Sequence, residues 1–170
     1  MSHQSQLDFV KSVKDTFPYS FRDCKVLEIG SLDINGSVRQ FFDNCDYVGI
    51  DLFPGKGVDI VGAAHTLELD KYDTVISCEC FDHDNHWKET FRKMYYSAKC
   101  LVIFSCATTG RQEHGTTATS PADSPFTNDY YKNLTEQDFR EEFDFDDMFS
   151  KYQFSVNQRP EDLYFWGLKK

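Results

Sequence analysis

The sequence lacks several things, and each absence narrows what it can be. No apolar stretch approaches the ~20 residues needed to span a bilayer, so no membrane partner is expected. No basic run occurs anywhere. Lys and Arg number 18 against 28 Asp and Glu, a formal net charge of −10. Phosphate binding needs clustered cations, which argues against duplex nucleic acid as a partner. No charged-then-apolar leader opens the chain, so secretion is not expected. The six cysteines (Cys24, Cys45, Cys78, Cys80, Cys100, Cys106) are therefore read as reduced thiols in a cytoplasmic setting. Four of them lie in or beside apolar strands, where cysteine acts as a small hydrophobe. Asn35-Gly36-Ser37 and Asn133-Leu134-Thr135 match the glycosylation pattern but carry no weight without secretion. Neither an internal repeat nor a composition break divides the chain, so residues 1–170 are expected to form one domain.

What is present is organised around Lys25–Asp51. Val26, Leu27 and Ile29 form a short apolar run of the buried, parallel-strand type. The run stops at Gly30. Val38, Phe41 and Phe42 then recur at helical spacing, predicting a helix. Tyr47-Val48-Gly49-Ile50 is a second apolar strand, and it ends in Asp51. Glycine lets the backbone approach a ligand, and an acid at the tip of the second strand can accept both ribose hydroxyls. This is the geometry of a nucleoside site. A dinucleotide such as NAD would require G-x-G-x-x-G. The spacing of Gly30 and Gly36 does not satisfy it.

The rest of the chain continues the alternation. A helix over residues 3–17 carries Leu7, Val10, Val13 and Phe17 on one stripe and is closed by Pro18. It either covers the ligand pocket or caps one end of the sheet. Residues 57–61, 72–77 and 100–105 read as further strands. Between the last two, a helix capped by Asp84 or Asn85 presents Trp87, Phe91, Met94 and Ala98. Thr135 caps another helix, with Asp138 at the third position and a Leu134–Phe139 staple. Residues 152–156 and 162–168 form a closing antiparallel hairpin. Such alternation implies a parallel sheet with helices on both faces and ligands at the carboxyl ends of the strands. Gly30, Asp51, Ala63, Ser77–Cys80 and Ser105–Cys106 would then share one rim. Residues 107–133, rich in Thr, Ser, Gly and Pro, leave from that rim. A polar loop of that length is usually functional, and it is read as a substrate lid.

VLEIGSLDINGS followed by YVGID resembles the class I S-adenosylmethionine-dependent methyltransferases of the small stand-alone type. VLEIG is similar to that family's first motif, Asp51 to its ribose-binding acid, and YDTVIS to its fourth strand. The resemblance implies a three-layer Rossmann-like α/β sandwich with a mostly parallel seven-stranded sheet and a C-terminal antiparallel hairpin. It implies S-adenosylmethionine as cofactor, held by Glu28, Gly30, Asp51, Leu52, Ala64 and Glu79, with Glu79 or Cys78 at the methionine end. Two departures stand out. Leu32 occupies the place of a second glycine, and Ala63 the place of the acid that meets the adenine amino group.

Methyl transfer from a sulfonium needs in-line geometry and, for a hydroxyl or protonated amine, a base. His83 and His114 are the catalytic candidates, because imidazole titrates near neutral pH. Asp82 and Glu113 come next. Cys78, Cys80, His83 and His86 are zinc-competent ligand types. They lack a second pair at finger-like spacing, and no metal is assigned. The acidic, short chain favours a small-molecule acceptor. The alternative is a binding subunit that holds S-adenosylmethionine or its demethylated product without turnover.

Overall fold

The computed structural model describes residues 3–170. One sheet of seven strands runs through it: β1 (Lys25–Ile29), β2 (Asp46–Asp51), β3 (Ile60–Val61), β4 (Tyr72–Cys78), β5 (Ala98–Ala107), β6 (Phe149–Gln158) and β7 (Glu161–Lys169). The spatial order is β3-β2-β1-β4-β5-β7-β6. β1 to β5 are mutually parallel, and β7 inserts antiparallel between β5 and β6. β1 lies between β2 and β4. The order reverses there, and a crevice opens above the strand ends.

The helices are α1 (Gln4–Thr16), α2 (Trp87–Ser97), α3 (Glu136–Glu142) and α4 (Phe145–Met148). α1 packs on one face of the sheet. Its Val10 and Val13 are buried with Phe21 against Val26, Ile76, Leu101 and Ile103. The stripe read from sequence therefore caps the sheet. No described α1 residue lines the main cavity. α2, α3 and α4 cover the other face, where Phe91, Met94, Phe139 and Phe145 bury against Val75, Val102, Phe104 and Phe165. Phe104 stacks between Phe139 (centroids 4.5 Å apart) and Phe165 (5.0 Å). Each such side chain contributes about 1.5–3 kcal/mol by leaving water. This gives the three layers expected.

The local signals act as their chemistry dictates. Thr135 and Asp138 form a reciprocal capping box at α3. Asp84 accepts from His86 N at 2.7 Å and from the Thr90 hydroxyl, securing the start of α2. α2 stops at Ser97, so Ala98 opens β5 instead of ending the helix.

Two elements are shorter than the sequence predicts. Val38 to Phe42 make one 3-10 turn (Val38–Phe41), not a helix. Gly36 takes φ +122° and its N–H donates to Asp33 Oδ1, which spends the preceding residues on a loop. Phe42 then leaves the turn in extended backbone and stacks on Phe21 at 4.5 Å. Too few residues remain to repay helix nucleation. The strand expected over 57–61 shrinks to Ile60–Val61. Gly57 sits at φ +85° in a turn closed by Val58 N to Gly55 O, and the Asp59 carboxylate accepts from Gly49 N.

Candidate functional site

The rim above β1, β2 and β4 holds a cavity of about 460 Å³. Its floor is the turn after β1. Gly30 adopts φ +78°, and the N–H groups of Gly30 and Ser31 both donate to the Ile50 carbonyl. The chain thus folds tightly over the end of β2 and brings Leu32 and Ile34 to the wall.

Asp51 stands at the tip of β2. Its Oδ2 accepts from Leu32 N at 3.0 Å and its Oδ1 from Phe53 N at 3.1 Å. Each oxygen thus holds one backbone donor. A carboxylate has about four acceptor positions, so the group is fixed in place with capacity left for a ligand. Leu52, Ala63 and Ala64 continue the wall at the ends of β2 and β3.

Glu79 closes the opposite side. It follows β4 at φ +54°, an uncommon conformation for a residue with a Cβ. The Ser105 hydroxyl donates to its Oε1 at 2.7 Å, and Gln6 Nε2 donates in turn to Ser105 Oγ. Its Oε2 has no hydrogen-bond partner. Burial, reinforced by Asp82 and Asp162, pushes this carboxyl up to about 8. An incoming ammonium group would draw it back to its charged form.

Gly30, Asp51, Leu52, Ala64, Glu79 and His83 all line the cavity. Glu28 does not. Its side chain lies on the α1 face of the sheet, where Tyr47 OH donates to Oε2 at 2.8 Å. Burial raises Glu28 to about 8, against the opposing pull of the Tyr47 hydrogen bond and Arg39. His114 also stands off the wall, but it meets His83 with the two Nε2 atoms 3.3 Å apart. Asp82 Oδ2 lies 3.3 Å from His83 Nε2 and 3.6 Å from His114 Nε2. Burial lowers the pKa of His83, partly offset by Asp82. Glu113 is occupied within its own loop, accepting from Thr116 Oγ1 at 2.7 Å.

Residues 107–133 fold back over this region. Asp123 to Asn128 and Tyr130 contribute to the cavity wall, and the Phe126 ring lies 5.2 Å from Phe53. Gly115 permits the loop to approach. It takes φ +69°, and a Cβ there would stand 2.7 Å from His83 Cε1. Tyr131 flanks both imidazoles, with centroids 5.4 Å from His83 and 5.0 Å from His114.

Some wall residues carry no readable signal in the sequence. His65 and His86 stack at 4.1 Å, and both line the cavity. His86 enters the sequence reading only as a zinc-ligand type. The Cys78, Cys80, His83, His86 set does not converge: Cys78 packs on the α1 face, Cys80 backs Gly30, and His86 faces His65.

No protein-family model matches the sequence, and no curated protein matches it significantly. The fold does have solved counterparts. The N-terminal domain of EvdMO1, crystallised in the presence of SAH and D-fucose, superposes with TM-score 0.67 at 14% identity, covering 100% of this chain and 85% of that one. Magnesium protoporphyrin IX methyltransferase (ChlM) from Synechocystis PCC 6803 with bound SAM gives 0.63 at 14%, covering 96% and 79%. The 1,6-didemethyltoxoflavin-N1-methyltransferase of Burkholderia thailandensis gives 0.64 at 13%, covering 96% and 77%. The chain therefore shares the Rossmann-like fold of these solved structures, with its own seven strands in the order given above.

Proposed function

We propose that this chain is an S-adenosylmethionine-dependent methyltransferase acting on a small-molecule acceptor. One observation carries the reading. Asp51, locked by two backbone donors, stands beside the Gly30 turn at the switch point of a sheet whose counterparts were crystallised with SAM or SAH. In this reading Asp51 accepts the ribose hydroxyls, and Leu52 and Ala64 flank the adenine. Glu79, whose free Oε2 is buried beside the cavity, meets the methionine ammonium. Glu28 acts from behind, bracing β1 against Tyr47.

The reaction is an in-line displacement. The acceptor lone pair forms a bond to the methyl carbon as the carbon–sulfur bond breaks, and the pair stays on sulfur as a thioether. Holding the two in near-attack geometry supplies about 7–11 kcal/mol of the acceleration. The acceptor enters beneath residues 107–133, and the Asp82–His83–His114 group activates it. The cavity volume lies within the range of small-molecule sites, which supports a small acceptor. The solved counterparts named for substrates act on, or were crystallised with, small molecules. No described helix is long and apolar enough to cross a membrane, and free cysteines suit a cytoplasmic setting.

The test is incubation of the purified chain with methyl-tritiated S-adenosylmethionine and a cell extract, followed by separation by size. With chromatography that resolves unreacted S-adenosylmethionine, a labelled small-molecule product absent from the extract alone is expected, and not with Asp51→Ala. Label in the macromolecular fraction would overturn the acceptor class. Absence of transfer to either fraction would overturn turnover itself.

A further inference from the structure

We propose that Asp82, His83 and His114 bind a divalent transition-metal ion of the zinc class at the edge of the cavity. The three ligand atoms, Asp82 Oδ2, His83 Nε2 and His114 Nε2, are separated by 3.3, 3.3 and 3.6 Å. Ligands about 2.0–2.1 Å from a tetrahedral ion lie roughly 3.3–3.4 Å from one another. Two edges of the triangle have that length, and the Asp82–His114 edge, at 3.6 Å, is slightly longer. Two imidazoles and a carboxylate are a recurring three-ligand set with an open fourth position.

The charge balance points the same way. Asp82 is fully buried, and neither of its carboxylate oxygens has a hydrogen-bond partner. Among the described residues, the only cationic side-chain types within ion-pair distance of it are these two imidazoles. A buried carboxylate without a partner is unfavourable by several kcal/mol. A proton shared between the facing imidazoles would satisfy them and still leave both Asp82 oxygens bare. An ion would engage Asp82 Oδ2 and both facing imidazole nitrogens at once and neutralise the buried charge, leaving Asp82 Oδ1 and His83 Nδ1 to other partners.

The surroundings orient the ligands. His114 Nδ1 lies 3.1 Å from the Gln112 carbonyl, the outer-sphere contact that turns an Nε2 lone pair toward a metal. The Asp82 carbonyl accepts from Lys132 N at 2.8 Å, tying the far end of the loop to the same turn. In a second cluster, His3, Glu79 and Asp162, the fully buried Asp162 is not left without a cation. Asp162 already pairs with Arg111 at 2.8 Å and with His3 at 2.7 Å.

Ion binding stands independently of the methyl-transfer reading; only its role rests on that reading. With their Nε2 lone pairs committed, the imidazoles cannot serve as bases. If the ion is bound, it would supply the acceptor activation by lowering the pKa of a coordinated hydroxyl, with Asp82, His83 and His114 holding it.

The experiment is titration of the chelator-stripped full chain with cobalt(II), then displacement by zinc(II). One ion per chain is expected, with a visible cobalt spectrum of tetrahedral intensity and no thiolate charge-transfer band. His114→Ala and Asp82→Asn, each shown by circular dichroism to be folded, should weaken binding by about 10-fold or more. Failure of the folded wild type to retain either ion would overturn the site, as would unchanged binding by His114→Ala. A thiolate band would also overturn it, by assigning the ion to cysteine. Retained ion without methyl transfer would count against the methyltransferase reading and leave the site standing.

Discussion

Gly30 and Cys80 face each other across the tips of β1 and β4 so closely that a Cβ on residue 30 would lie 2.7 Å from Cys80 Cβ. The contact sets the floor of the cavity, and Gly30 also holds φ +78°. Gly30→Ala meets both obstacles, a left-handed backbone and an overpacked neighbour. It should destabilise the fold by about 2–4 kcal/mol in urea denaturation. A loss within about 0.5 kcal/mol would show that the turn relaxes freely.

The buried Glu28 gives stability a defined pH dependence. Its carboxyl is raised to about 8 by burial, against about 4.3 in an unfolded chain. The folded state thus keeps a proton that the unfolded state releases. The contribution is complete below the unfolded value and is lost as pH rises toward 8. Glu28→Gln keeps an acceptor for Tyr47 OH and removes the titration. The stability of Glu28→Gln minus that of the wild type should grow by about 2–3 kcal/mol from pH 5 to pH 7.5. Parallel pH profiles for the two proteins would contradict this.

Phe126 and Phe53 bring their rings within 5.2 Å at the mouth of the cavity. Phe126 is 67% exposed, so truncating it should scarcely change the melting temperature. Removing an aromatic contact of this kind costs about 0.5–1.5 kcal/mol. Phe126→Ala should therefore weaken S-adenosylhomocysteine binding roughly threefold to tenfold in an equilibrium titration. Unchanged affinity would place the ligand away from this loop.

Thr135 ends the long loop and starts α3 through its reciprocal bonds with Asp138. Thr135→Ala should lower stability by about 1 kcal/mol. Thr135→Ser should recover most of it, because the hydroxyl is the active group. Equal melting temperatures for Ala and wild type would show that the box contributes nothing.

The parts of the fold legible in sequence are those set by burial. β1, β4 and β5 are apolar runs covered on both faces, and the hairpin is fixed by the two strands that close the chain. Gly30 and Asp51 were legible because a tight turn and a strand-tip acid leave a residue-level signature. The helix expected over Val38–Phe42 was not legible as a turn. Its apolar spacing is satisfied by a single turn once Gly36 and Phe42 are committed elsewhere. Likewise Gly57 breaks the run that Val58, Ile60 and Val61 suggest. His83 and His114 each stand out by type. They lie 31 residues apart, with α2 and β5 between them, and their convergence with Asp82 depends on the path of the loop over residues 107–133, anchored by Gly115 and Lys132; no local pattern records it. The side of the sheet occupied by Glu28 follows from strand alternation, with Val26 buried on the same α1 face.

The central claim is that the cavity takes S-adenosylmethionine through Asp51. Its most direct test is calorimetric titration of the purified chain with S-adenosylmethionine and S-adenosylhomocysteine, with NAD as control and Asp51→Ala alongside. Micromolar binding of both sulfur compounds, none of NAD, and at least about a tenfold loss in the mutant are predicted. No binding of either sulfur compound, or equal binding by Asp51→Ala, would contradict the claim.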